Sequence, residues 1–237
     1  MSRCGRLTTH IIAPMRQQPS CYVCGTPAET REHIPPKSFF PRGKGLSLTT
    51  VPSCVVHNNS KSDDDQYLLA HISLHSARLD NLPAQIFRRS IVPQLERRPA
   101  FARLLTDASI TLPDGTRQYQ VDVKRFDAFF DHLTKGLFYV RYGARFDPSL
   151  HRMGHVYLDL ASEDENAERL RCSSATMLGH FLPAFKDAVS THVSDYVDEQ
   201  VYMHRVIDPA GKDASITIIH TFYGLFDVVT YLTDAKR

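Results

Sequence analysis

The sequence predicts an α+β fold: an N-terminal zinc-stabilised strand–strand–helix module, then an antiparallel sheet packed by helices. Three observations lead there. Cys21-x2-Cys24 and Cys54-x2-His57 form two knuckles with the same two-residue gap. Phe126, Phe129, Phe130, Leu133 and Leu137 recur at helical spacing. Four strand-like runs, "HVYLDL", "QVYMHRVID", "SITIIHTFY" and "LFDVVTYLT", fill the end of the chain.

The first module is read from residue 21. Three cysteines and a histidine in two pairs suit a tetrahedral zinc ion, and the 29 residues between the pairs are enough for a hairpin. A shell closed by Cys21, Cys24, Cys54 and His57 has no open position, so this zinc is expected to be structural. A module of this size lacks the core to fold alone, and metal supplies part of its folding free energy. Cys4 and Cys172 have no partner at ligand spacing and read as small hydrophobes. Five unevenly spaced cysteines do not form a disulfide framework, and metal-bound thiolates fit a reducing compartment.

Between the knuckles, "REHIPPKSFFP" sets Glu32 beside His33. Pro35 pushes Ile34 into an extended conformation, so no helix runs through. Neighbours on a strand point to opposite faces, and 32 and 33 approach one site only where the strand ends. "GLSLTTVPS" reads as the second strand, with apolar residues at 46, 48 and 51. "HNNSKSDDDQYLLAHISLHSA" reads as a helix with Leu68, Leu69, Ile72 and Ser76 on one face. Asp63 to Asp65 fall in its first turns, where the helix dipole favours them as solvated partners; a second metal cluster is the alternative. Glu32-His33 as a surface ion pair, Asn58 as an N-cap and His57 as a ligand of a second ion also remain open.

Further on, "LPAQIFRRSIVPQLERRPAFARLL" interleaves arginines with apolar residues, and Arg88, Arg89, Arg97, Arg98 and Arg103 form either a phosphate-contacting ridge or the solvated face of short helices. "SITLPDGTRQYQVDV" is a hairpin around Pro-Asp-Gly. "DPAGKD" and Gly224 supply turns between the later strands, and "SATMLGHFLPAFKDAVSTHVSDYV" supplies helix. His155, His180, His192, His204 and His220 lack ligand spacing and read as surface or satisfied core histidines. The expected division is a module over 1–75 and an α+β unit over 76–237, the boundary falling within 76–105.

Hydrophobic content of 42% and charged content of 23% are those of a soluble globular chain. No run of 18 apolar residues predicts a membrane span, and the N-terminus lacks the apolar stretch of a secretory signal, so a cytoplasmic location is expected. Residues 1–150 hold 20 Lys and Arg against 13 Asp and Glu, and residues 151–237 hold 8 against 13. The basic front half suits a polyanionic partner.

Cys-x2-Cys, then Glu-His-Ile-Pro, then Cys-x2-His-Asn-x2-Lys-Ser-Asp resembles the HNH endonuclease family, the ββα-metal nuclease module, over about residues 18–75. The wording also resembles stand-alone bacterial members with a C-terminal domain of unassigned role. The resemblance implies phosphodiester hydrolysis, with DNA as the partner and RNA as the alternative. It implies Glu32 and Asn58 as ligands of one catalytic Mg2+ or Mn2+ and His33 as the base that activates water. Lys61, Ser62 and Asp63 then support the site. Lys37, Arg42, Lys44, Lys61, Arg88 and Arg89 are the candidate nucleic-acid contacts. The central asparagine of the family's name falls near Thr49 here, a departure whose hydroxyl has shorter reach. That departure keeps two other readings open: a zinc-dependent nucleic-acid-binding module without catalysis, and a protein-interaction module acting through the C-terminal unit, as a homodimer or with another chain.

Overall fold

The computed structural model describes residues 18–41, 48–107, 109–115, 117–181, 201–208, 210–212 and 214–235. The architecture is α+β, as the sequence predicts. An N-terminal hairpin and a Cys3His cluster are followed by helices and then a four-stranded antiparallel sheet.

The hairpin pairs β1 (Thr30–His33) with β2 (Thr50–Ser53), and His33 stands opposite Thr50. The second strand is shorter than the sequence suggests; of its expected start, residues 45–47 lie outside the described residues. The chain turns after β1 through a cis Ile34–Pro35 peptide and a short 3₁₀ turn at Lys37–Phe39. The single helix expected after the second knuckle is two. α1 (Val55–Asn59) ends at Ser60 and Lys61, and α2 (Ser62–Ser76) starts afresh. Lys61 has φ −102° and ψ 1°, outside helical values, and there the direction changes. α2 buries Leu68, Leu69, Ile72 and Ser76 on one face, in the phase the sequence predicts.

The arginine-rich stretch forms α3 (Leu82–Ile86), a single π-turn over Phe87–Ile91, α4 (Val92–Arg97) and α5 (Pro99–Thr106). Asn81 caps α3 by accepting from Ala84 N, and Pro99 opens α5, where its missing N–H is no loss. β3 (Ser109–Thr111) and β4 (Arg117–Tyr119) make the expected small hairpin. α6 (Val123–Tyr142) is capped by Asp122 and closed by Gly143. Its aromatic stripe is buried throughout: Phe126, Phe129 and Phe130 are 4% exposed or less.

The large sheet runs β5–β8–β7–β6, formed by β5 (His151–Tyr157), β6 (Tyr202–Ile207), β7 (Ile216–Phe222) and β8 (Phe226–Asp234). α7 (Glu165–Phe181) packs beside β5; the rest of the helical segment expected there, 182–200, lies outside the described residues. His155 and His220 are satisfied core histidines. His220 bonds Tyr202 Oη at 2.9 Å and Thr230 Oγ1 at 3.1 Å; His155 bonds Thr230 Oγ1 at 2.9 Å and Asp131 Oδ1 at 3.0 Å. His192 lies outside the described residues.

One apolar core extends from the knuckles to the last strand. Tyr22, Phe39, Tyr67, Phe130, Phe222 and Phe226 belong to the same buried cluster. Phe39, in the turn after β1, packs its ring at a tilt against Phe129 of α6 and Phe222 of β7 and accepts a hydrogen bond at its carbonyl from Tyr223 Oη at 2.9 Å. Gly136 of α6 allows the closest approach: a Cβ there meets Ile34 Cδ1 at 2.5 Å. No helix among the described residues is long and apolar enough to cross a membrane.

Candidate metal centre

The first knuckle is a tight turn. Cys21 N bonds Thr26 O at 2.7 Å, and Gly25 N bonds Cys21 O at 2.9 Å. Gly25 has φ +78°, a left-handed backbone conformation that calls for glycine. Tyr22 N bonds Pro52 O at 2.9 Å, which ties this turn to β2. The second knuckle opens α1: Cys54 is its N-cap residue and His57 lies one turn in.

The two knuckles converge. The donor atoms of Cys21, Cys24, Cys54 and His57 all lie within 4.8 Å of one another. Cys24 Sγ to Cys54 Sγ is 3.9 Å, Cys21 Sγ to His57 Nδ1 is 3.8 Å, and Cys54 Sγ to His57 Nδ1 is 3.1 Å. A tetrahedral zinc with bonds of about 2.3 Å to sulfur and about 2.0 Å to nitrogen gives edges of roughly 3.8 Å and 3.5 Å. The donor set fits, and Nδ1 is the imidazole nitrogen that faces it. The thiols are also prepared. Burial raises Cys21, but the N–H groups of Cys24, Cys54 and Val23 outweigh it and leave the thiol below its usual value. Thr26, whose hydroxyl is 3.1 Å from Cys24 Sγ, brings Cys24 down to about 7. Thiolates are what zinc requires. Among the described residues no other group of three His, Cys, Asp or Glu side chains has this spacing, and Cys172 is exposed on α7.

Glu32 and His33 follow on β1, and α1 packs against that strand. Glu32 is 3% exposed. Its Oε1 accepts from Tyr22 Oη at 2.7 Å and from the Lys61 ammonium, while its Oε2 has no partner. The surface ion pair between Glu32 and His33 is therefore not what forms; the partner of Glu32 is Lys61, itself buried to 11% exposure. His33 is half-buried. Burial first, then the Lys37 ammonium, lower its pKa, against the pull of Glu32. That favours the neutral form of its imidazole.

Asn58 sits inside α1, its N–H on Cys54 O at 3.1 Å, rather than at a cap. At Thr49 the backbone carbonyl, not the side chain, holds the loop: it accepts from Ile34 N at 3.0 Å. Ser62 is exposed at the start of α2, and Asp63 is drawn away to Arg98 at 3.2 Å. Lys37 is exposed on the turn just after His33. Arg88 and Arg89 are exposed on the π-turn, Arg88 paired with Asp80. Arg42 and Lys44 lie outside the described residues.

Two residues of this neighbourhood, Tyr22 and His132, escape the sequence reading, and a third, Asp65, is not the solvated helix-start residue expected. Tyr22 lies between the first two cysteines and holds Glu32. Asp65 is raised to about 7, chiefly by burial, with Lys61 opposing and Glu32 and Asp64 adding to the rise. Its signal was present: Asp65 is three, four and seven residues before Leu68, Leu69 and Ile72, in phase with the buried face. His132 of α6 has its ring 6.3 Å from His57 and its Nδ1 on Ala128 O at 2.8 Å. Burial, then Lys61 and Lys135, keep it neutral against the Ala128 carbonyl and Glu32. Only the tertiary fold brings α6 here, and no local pattern announces it.

Hairpin, helix and Cys3His group together define an α+β protein with a candidate structural zinc site. No family model, curated protein or solved structure matches the chain.

Proposed function

We propose that the chain is a metal-dependent endonuclease of the HNH type, hydrolysing phosphodiester bonds of DNA. The observation that carries this reading is the Cys3His clasp. It fixes α1 against β1, so that Asn58, directly after ligand His57, and the Glu32-His33 pair belong to one rigid unit. In this reading residues 1–75 carry the chemistry and residues 76–237 support and select.

Each residue then has a defined task. His33 takes a proton from the attacking water at its imidazole, which burial and Lys37 keep neutral. Glu32 Oε2 and the Asn58 carboxamide oxygen are the hard oxygen donors suited to Mg2+ or Mn2+. Bound there, such a cation neutralises the charge that builds on the phosphate. Lys37, and the exposed Arg88 and Arg89 further along, draw in the nucleic-acid backbone. The Cys3His zinc takes no part in bond breaking; it keeps α1 in place.

One observation favours a second reading. The Lys61 ammonium already compensates Glu32, as expected of a nucleic-acid-binding module without catalysis. Plasmid incubated with the purified, zinc-loaded protein separates the two. The nuclease reading predicts nicking that needs Mg2+ or Mn2+ and falls by about 10²–10⁴ in His33→Ala, with zinc content unchanged. Intact plasmid with both proteins, alongside salt-sensitive gel shifts, favours the binding module and overturns the nuclease.

A further inference from the structure

Five side chains cross the large sheet, on the face that α6 covers, in one unbroken line of hydrogen bonds. Asp131 Oδ1 of α6 meets His155 Nε2 of β5 at 3.0 Å, and His155 Nδ1 meets Thr230 Oγ1 of β8 at 2.9 Å. Thr230 Oγ1 also meets His220 Nε2 of β7 at 3.1 Å, and His220 Nδ1 meets Tyr202 Oη of β6 at 2.9 Å. The line thus visits all four strands. Its wet end is Asp131: that side chain is 41% exposed and the His155 side chain 3%, while Thr230, His220 and Tyr202 are 0% exposed.

The carboxylate at one end fixes the direction of every bond. Asp131 is held ionised: burial pushes its pKa up, but the His155 hydrogen bond and the Lys135 ammonium, 3.5 Å away, outweigh that. A carboxylate only accepts, so His155 Nε2 carries the proton it shares with Asp131. A neutral imidazole has one N–H, so His155 Nδ1 accepts and Thr230 donates to it. The Thr230 oxygen then accepts from His220 Nε2–H, and His220 Nδ1 accepts from Tyr202 Oη. A second proton on His155, taken from solvent, reverses all of this. Its Nδ1–H donates to Thr230, whose hydroxyl turns to His220 Nε2. The single proton of His220 then sits on Nδ1 and is donated to Tyr202 Oη. The line gains one proton in all, and it resides on His155. Half-reversal is excluded, because Thr230 has one proton to give.

We infer that this line is a two-state, pH-sensitive relay, in which proton uptake by His155 at the Asp131 end reverses the hydrogen bond to Tyr202 at the other. Around His155 stand Asp127, Asp131 and Lys135 of α6, Tyr157 of its own strand, and His220 across Thr230. Burial keeps Tyr157 neutral, and it gives its hydroxyl proton to Asp127 at 2.7 Å, so Asp131 is the carboxylate that receives an imidazolium. Burial first, then the neighbouring His204 and His155, hold His220 far below the ordinary imidazole value. His220 therefore answers by moving its one proton between nitrogens, not by taking a second. The relay ends close to the N-terminal module. The Tyr202 ring lies 4.8 Å from Phe222, which lies 5.1 Å from Phe39 in the turn after β1. None of this depends on the nuclease reading.

The test is nitrogen-15 NMR of the full-length, zinc-loaded protein with labelled histidines, from about pH 8.5 to about pH 5.5, the interval in which imidazoles titrate. At the upper end His155 and His220 are both expected as Nε2–H tautomers. As pH falls, His155 gains its second proton. With the same midpoint, His220 changes to the Nδ1–H tautomer and stays neutral. Thr230→Val keeps the shape and removes the hydroxyl; thermal melts check its folding. In that variant His155 still titrates and the response of His220 is lost. An Nδ1–H tautomer of either ring at the upper end, a His155 that gains no proton, a His220 unmoved while His155 titrates, or an intact response in Thr230→Val overturns the relay. The wild-type titration decides by itself where the variant does not fold.

Discussion

His71 shows what burial does to a single residue. It lies on α2 with its ring 4.4 Å from Tyr67 and 6.1 Å from Phe126, and its Nε2 is buried without a partner. Burial alone brings its pKa down to about 4, from the ordinary 6.5 that the unfolded chain retains. The folded state therefore holds this imidazole neutral. Its contribution is complete above pH 6.5 and is lost as pH falls toward 4, because the unfolded chain takes up a proton that the folded one refuses. The loss amounts to roughly 2–3 kcal/mol. Unfolding free energies from urea melts at pH 7.5 and pH 4.5 should differ by that much less in His71→Phe than in the wild type; protonation of the zinc ligands is common to both and cancels. Equal pH dependence contradicts the assignment. At this scale the sequence is legible where chemistry is local. Cys21, Cys24, Cys54 and His57 announce themselves by spacing. The different fates of Asp63, Asp64 and Asp65 do not, because three identical residues are told apart only by helical phase and by what packs opposite.

Among the elements, α6 closely approaches the chain just after β1. Ile34, 1% exposed, lies over Gly136, where a Cβ meets Ile34 Cδ1 at 2.5 Å and Cγ1 at 2.8 Å. Glycine inside a helix is unfavourable by propensity, and the approach of Ile34 accounts for it here. Gly136→Val gains some helix propensity but forces the two elements apart, for a net loss of roughly 2 kcal/mol. Thermal melts of the zinc-loaded variant check this; an unchanged or raised Tm contradicts the packing. Element type is legible wherever the period is strong. The last three strands and the α6 stripe appear where the sequence places them, because apolar residues recur at every second position or along one helical face; β5 instead runs from His151 to Tyr157, so the run expected over 155–160 overlaps it only at its end. The break between α1 and α2 is not legible. It comes from the geometry at Ser60 and Lys61, after a helix opening pinned by Cys54 and His57, and a pattern of apolar residues carries no sign of it.

Across the whole molecule the apolar core is continuous, and this decides how metal loss propagates. Phe39 touches α6 and β7, and Tyr223 Oη bonds its carbonyl, so the turn between the knuckles is built into the later sheet. Chelation of zinc is expected to lower the melting of the entire chain in one transition, not to free the N-terminal module alone. A loss of a few kcal/mol corresponds to roughly 10 °C in a chain of this size. Separate transitions in far-UV and near-UV circular dichroism contradict that coupling. The order of elements, and the knuckles that bracket the hairpin, were readable in advance. The joining of hairpin, α6 and sheet was not, since Phe39, Ile34 and His132 meet partners far along the chain. Everything at this scale depends on the two knuckles closing on one ion. X-ray absorption at the zinc edge of the purified protein tests that most directly. The account predicts one zinc per chain with three sulfur neighbours near about 2.3 Å and one nitrogen near about 2.0 Å. A shell of oxygen and nitrogen, or protein whose melting is unchanged when zinc is removed, contradicts it.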